Sequence, residues 1–213
     1  MLNRAMPFIQ FEGRNILFMH VPKTAGMSVE AWLESLAPVQ LSNVYTAGWS
    51  RTLRCSVQHL DANDIRRLFR DGYFAYAFLF VRDPYARMES EYRYLRSKGK
   101  LRLASSDLGK PPAFAQWAVR EIKAAMENPW ALDNHLRPQW KFVYPGADCF
   151  KLEDGLAEGL AMAAARIGAR APQTAPCLNR TTGLDIETSW TAEARDLVAR
   201  RYARDFEQFG YAT

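Results

Sequence analysis

The sequence predicts an α/β fold with a mainly parallel sheet, and three observations carry that reading. Two short apolar runs, ILFMHV at 16–21 and FAYAFLFV at 74–81, are each followed by a turn and then by a helical stripe of apolar residues. Continuous apolar runs, unlike alternating ones, indicate strands buried on both faces, as in parallel sheets covered by helices. No internal repeat or low-complexity segment interrupts the 213 residues. A chain of that length is expected to form one compact domain over 1–213, with 1–14 as an N-terminal lead-in.

The elements follow in order. Residues 16–21 read as a buried strand that Pro22 ends. After the turn, Val29, Trp32, Leu33 and Leu36 fall at helical spacing and predict a helix packed on the sheet. FAYAFLFV repeats the pattern: it leads through Arg82 to Asp83 as an N-cap and Pro84 at the first helical position. Tyr85, Met88, Tyr92 and Leu95 then share a face, and Gly99 closes the helix. Further on come a helix at 113–126, a strand KFVY at 141–144, a strand CFKL at 149–152 and an Ala-rich helix at 155–168. A Pro-rich connection over 171–178 leads to one last helix with Val198, Tyr202, Phe206 and Phe209 on one side.

Composition narrows the function classes. Lys and Arg exceed Asp and Glu by 28 to 23, which favours an anionic ligand without naming it. The basic residues are scattered, with no run of five or six like charges, so nucleic acid is not an expected partner. Cys55, Cys149 and Cys177 are odd in number and lack CxxC spacing, which indicates neither a disulfide framework nor a zinc site. No apolar run approaches the roughly 20 residues needed to span a bilayer, and the first fifteen residues lack a signal-peptide core. A cytoplasmic protein without a membrane span is expected.

The stretch PKTAGMS at 22–28 leaves a strand and enters a helix. Unpaired N–H groups and the positive end of a helix dipole converge at such a junction, so an anion belongs there. Gly26 lets the backbone approach closely, Lys23 supplies a mobile charge, and the hydroxyls of Thr24 and Ser28 are candidate donors. A nucleoside-triphosphate P-loop would place the Lys after the last Gly and a hydroxyl beside it for magnesium. Here Lys23 precedes Gly26, and a cation, Arg82, stands before the Asp that would imitate a metal-holding carboxylate. A magnesium-nucleotide site is poorly supported.

HVPKTAGMSVE together with FAYAFLFVRDPYARMESEYRYL resembles the paired signature of sulfotransferases that use 3′-phosphoadenosine 5′-phosphosulfate (PAPS), especially the carbohydrate branch related to the glycosaminoglycan 2-O-sulfotransferases. The resemblance implies a P-loop-like three-layer fold with a central sheet flanked by helices. It implies that the first loop, through Lys23, Thr24, Ala25, Gly26, Met27 and Ser28, holds the 5′-phosphosulfate, and that Arg82 and Ser90, eight residues later, hold the 3′-phosphate. An Arg fork and a Ser hydroxyl two helical turns on suit one phosphate; the plainer reading makes Arg82 an ion-pair partner of Asp83 or Glu89. The similarity extends to DNHLRPQW (133–140), a loop near the acceptor that brings His135 and Arg137 as substrate-binding candidates. LNRTTG resembles a loop closing over the nucleotide, with Arg180 and Thr181 as candidates.

Sulfuryl transfer needs in-line attack by an acceptor oxygen, departure of the nucleotide as 3′-phosphoadenosine 5′-phosphate (PAP), and a group to take the acceptor's proton. Fixed cations can offset the developing charge, so no metal is required; Lys23 is the natural stabiliser of the leaving oxygens. Of the histidines, His59 resembles the family's base, though a helix-capping role is the alternative. His135 and His20 are candidates for binding or positioning. The expected acceptor is a small molecule or carbohydrate, with a sugar or glycolipid-type hydroxyl foremost. The alternatives are a P-loop small-molecule kinase and a non-catalytic nucleotide-binding protein of the same fold. Acceptor, regiochemistry and oligomeric state are not legible.

Overall fold

The computed structural model describes residues 8–36, 54–101, 103, 112–173 and 186–213. Four strands form one sheet in the order β1 (Phe8–Phe11), β2 (Arg14–Met19), β3 (Tyr76–Val81), β4 (Asp148–Lys151). β2 pairs with β3 and β3 with β4 in parallel, whereas β1 is antiparallel to β2. The helices are α1 (Gly26–Leu36), α2 (Ala62–Leu68), α3 (Pro84–Ser97), α4 (Phe114–Glu127), α5 (Leu156–Ile167), α6 (Ala192–Arg201) and α7 (Ala203–Phe209).

Strand periodicity divides the core into two layers around the sheet. Ile16, Phe18, Phe78 and Phe80 face Val29, Trp32 and Leu33 of α1 and Leu160, Ala163 and Ile167 of α5. Leu17, Met19, Leu79 and Val81 point the other way, onto Ile65 of α2, Phe142 and Phe209 of α7. Ile16, Leu17, Phe18 and Leu79 are fully buried, each contributing about 1.5–3 kcal/mol relative to exposure. A third cluster lies mainly among helices: Met88, Tyr92 and Leu95 of α3 pack with Trp117 and Ile122 of α4, Val198 of α6 and Phe206 of α7.

Three expectations are corrected. The lead-in contains a strand: β1 is joined to β2 by Glu12 and Gly13, both at positive φ (46° and 74°), the two-residue turn whose twist suits a hairpin. KFVY is not a strand, because residues Gln139–Phe142 form a 3₁₀ turn whose first N–H groups bond the buried Asp205 carboxylate (Gln139 N to Oδ2 2.8 Å, Trp140 N to Oδ1 2.9 Å) in place of a sheet neighbour. The last helix is broken at Tyr202 into α6 and α7, with Val198, Tyr202 and Phe206 nevertheless buried together as expected.

Met19 of β2 pairs with Leu79 of β3, so the two strands end side by side. The chain after each therefore emerges at one edge, where ligands of open α/β sheets bind.

Candidate active site

From β2 the chain runs through His20 and Val21 into the loop. Lys23 (φ 71°) and Ala25 (φ 64°) both adopt left-handed backbone, which non-glycine residues do sparingly and mostly where function over-determines it. Alternating backbone of this kind turns successive N–H groups inward into an anion-binding concavity. Ala25 O accepts from Ser28 N (2.9 Å) and Val29 N (3.3 Å), which starts α1 at once. Thr24 differs from expectation in its use: its buried hydroxyl donates to Val21 O at 2.9 Å, so it fastens the loop. Met27 stands half-buried beside Gln58, whose amide reaches its sulfur at 3.7 Å. A Cβ on Gly26 would lie 2.1 Å from His20 Nε2; glycine is required because an imidazole lies against the start of α1.

At the end of β3, Gln139 continues the ladder with its side chain, accepting from Arg82 N (2.9 Å) and donating to Arg82 O (2.7 Å). The two residues that offered Arg82 a plainer role have other hydrogen-bond partners, although both, with Glu153, act on its charge against the effect of burial. Asp83 caps α3 by accepting from Ala86 N at 2.8 Å. Glu89 pairs with Arg93 at 3.1 Å and accepts from Trp190 Nε1 at 2.8 Å. Arg82 and Ser90 are half-buried, Ser90 about two turns along α3. Arg180 and Thr181 lie outside the described residues.

The three histidines form a row. His20 and His59 rings are 5.2 Å apart and His59 and His135 rings 4.8 Å apart, both edge to face. Each holds a carboxylate through Nδ1: His20 with Glu30 Oε1 (2.6 Å), His59 with Asp133 Oδ2 (2.9 Å), His135 with Glu91 Oε2 (2.7 Å). Burial opposes ionisation of Asp133, but the His59 hydrogen bond and charge and the Ser56 bonds outweigh it and hold the carboxyl near about 2. An ionised carboxylate only accepts, so His59 Nδ1 carries the proton and Nε2 has a free lone pair. Burial pushes the His59 imidazole down to about 4, against the opposing Asp133 hydrogen bond and with His135 and His20 adding to the fall. His59 is therefore neutral at pH 7. A capping role does not account for it, since Asp61 caps α2 by accepting from Asp64 N at 3.0 Å.

Asp133, Glu91 and Glu30 were not singled out in the sequence. Leu132, Asp133 and Asn134 are successively left-handed (φ 51°, 57°, 64°), and the available signal was the Asp-Asn pair, the residue types that tolerate this backbone best. The turn is held by Asn134 Nδ2 donating to His59 O (2.9 Å), and by Arg87, which donates to His135 O (3.0 Å) and Arg137 O (2.8 Å). Arg137 itself pairs with the buried Asp61 at 2.5 Å, so its charge is committed within the protein. Donor atoms of His59, Asp133 and His135 lie within 4.8 Å of one another, and of these His59 and Asp133 are hydrogen-bonded to each other while His135 holds Glu91.

Among the described residues no helix is long and apolar enough to cross a membrane. A family model described as the sulfotransferase family matches residues 6–212. No curated protein and no solved structure matches the chain.

Proposed function

The chain belongs to the sulfotransferase family and is a PAPS-dependent sulfotransferase, and from that premise we propose that it moves a sulfuryl group from PAPS to a hydroxyl of a carbohydrate or glycolipid-type acceptor. The observation that supports this reading best is the pairing, at one edge of the sheet, of a left-handed anion loop bearing Lys23 with Arg82 at the end of the adjacent strand. A nucleotide with anionic groups at both 5′ and 3′ positions matches two cationic points.

In this reading the loop over 23–28 holds the 5′-phosphosulfate, and Arg82 with Ser90 holds the 3′-phosphate. The acceptor oxygen attacks sulfur, the bond from sulfur to the bridging phosphate oxygen breaks, and PAP leaves. His59 Nε2 takes the acceptor's proton, and the Asp133 carboxylate on Nδ1 stabilises the imidazolium that forms. Lys23 offsets negative charge on the leaving oxygens. Burial lowers the Lys23 pKa, Glu91 opposes that fall and Arg82 adds to it. His135 borders the acceptor side, and His20, with Nδ1 on Glu30 and its other face on Gly26, supports the loop.

Calorimetry with PAP and AMP tests the donor assignment. Wild type should bind PAP more tightly, and Arg82→Ala should remove the difference without unfolding the protein. Equal binding of the two nucleotides by wild type overturns the 3′-phosphate site.

A further inference from the structure

Lys23 is not left to solvent: its ammonium lies 3.9 Å from the centroid of the Tyr94 ring. Tyr94 in turn neighbours His135, the ring centroids 6.4 Å apart. Tyr94 and Glu91 are three residues apart on α3 and so share a face. Glu91 is 1% exposed; one of its oxygens accepts from His135 and the other, Oε1, is buried with no hydrogen-bond partner. Burial opposes its ionisation, but His135, Lys23 and Arg87 outweigh that and hold the carboxyl below its ordinary value. One face of α3 therefore touches both the cation of the anion loop and the histidine beside the proposed base.

We propose that Tyr94 and Glu91 are positioning residues that hold Lys23 at the mouth of the anion loop, Tyr94 by its ring face and Glu91 by its charge. A flexible four-carbon ammonium otherwise samples many rotamers, and fixing it lowers the ordering cost of engaging the phosphosulfate. The ring face attracts the cation through its quadrupole, so Phe can replace Tyr in this role and Leu cannot. The inference rests on the PAPS reading above.

The test is a double-mutant cycle on PAPS affinity, measured by calorimetry without acceptor, with melting temperature as a control for folding. Tyr94→Leu should weaken PAPS binding about tenfold in the wild-type background and leave it unchanged in a Lys23→Met background, because Tyr94 acts only through Lys23. Tyr94→Phe should stay within about twofold of wild type. Glu91→Gln, which keeps the shape and removes the charge, should weaken PAPS in the same background-dependent way. If Tyr94→Leu weakens binding equally in both backgrounds, or not at all, or if Tyr94→Phe is as impaired as Tyr94→Leu, the positioning role is wrong. Failure of wild type to bind PAPS would instead overturn the donor assignment on which the inference stands.

Discussion

His59 illustrates how one side chain's chemistry is set by its neighbours. Burial alone would make the imidazole a poor proton acceptor, and Asp133 restores part of its basicity while fixing which nitrogen is free. His59→Ala should lower turnover by about 100-fold to 10,000-fold with PAP affinity unchanged. The acid limb of kcat/KM against pH should fall near about 4, well below the ordinary histidine value of about 6.5; a limb near the ordinary value would mean that this imidazole is solvated in solution. Asp133→Asn probes the tautomer. The amide can donate to Nδ1 and so leave the proton on Nε2, where it cannot accept from a substrate. Turnover should then fall by about 100-fold or more while the melting temperature changes little, and an unchanged rate would dismiss the dyad.

At the scale of elements, the junction between β2 and α1 depends on a missing atom. Gly26→Ala places a Cβ against the His20 ring, and relief requires either the imidazole to leave Glu30 or α1 to shift. A loss of about 1–3 kcal/mol is expected, with recovery in the double variant His20→Ala, Gly26→Ala; a single variant that melts with wild type would show that the ring moves freely. This junction was legible in the sequence because its signals are local: an apolar run, a turn with Gly and Lys, and an i, i+3, i+4 stripe. The caps of α3 were legible for the same reason. What the sequence withheld is non-local. The carboxylates that hold His59 and His135 come from 74 and 44 residues away, and no periodicity records such pairings. The 141–144 segment failed as a strand because a carboxylate 65 residues away, Asp205, takes the Trp140 N–H. The break at Tyr202 leaves Val198, Tyr202 and Phe206 buried together among the helices but sends Phe209, expected on the same side, into the cluster beneath the sheet.

The row of histidines and carboxylates also sets how the whole molecule responds to acid. His59 binds its proton near about 4 when folded and near about 6.5 when unfolded. Between those values the unfolded chain holds more protons, so this contribution is complete above about 6.5 and is lost as pH falls through about 4. Glu30, Glu91 and Asp133 all have lowered folded values; burial opposes each, and the paired histidines prevail. Their contributions hold above the ordinary carboxylate range and vanish as pH falls through the folded values, so they act below the window in which His59 acts. Asp64 and Asp205 have values raised, chiefly by burial, and oppose the trend, since their cost of ionisation lessens in acid. From about pH 6.5 to 5 the His59 effect should contribute at most about 1.4 kcal/mol per pH unit for one proton, with the two raised carboxyls acting in the opposite sense. Thermal unfolding of wild type and His59→Gln across that range measures it: the wild-type melting temperature should fall more steeply as pH is lowered. Parallel curves would show that His59 exchanges no extra proton on unfolding, and with it the buried, neutral state on which its role as base depends would be lost.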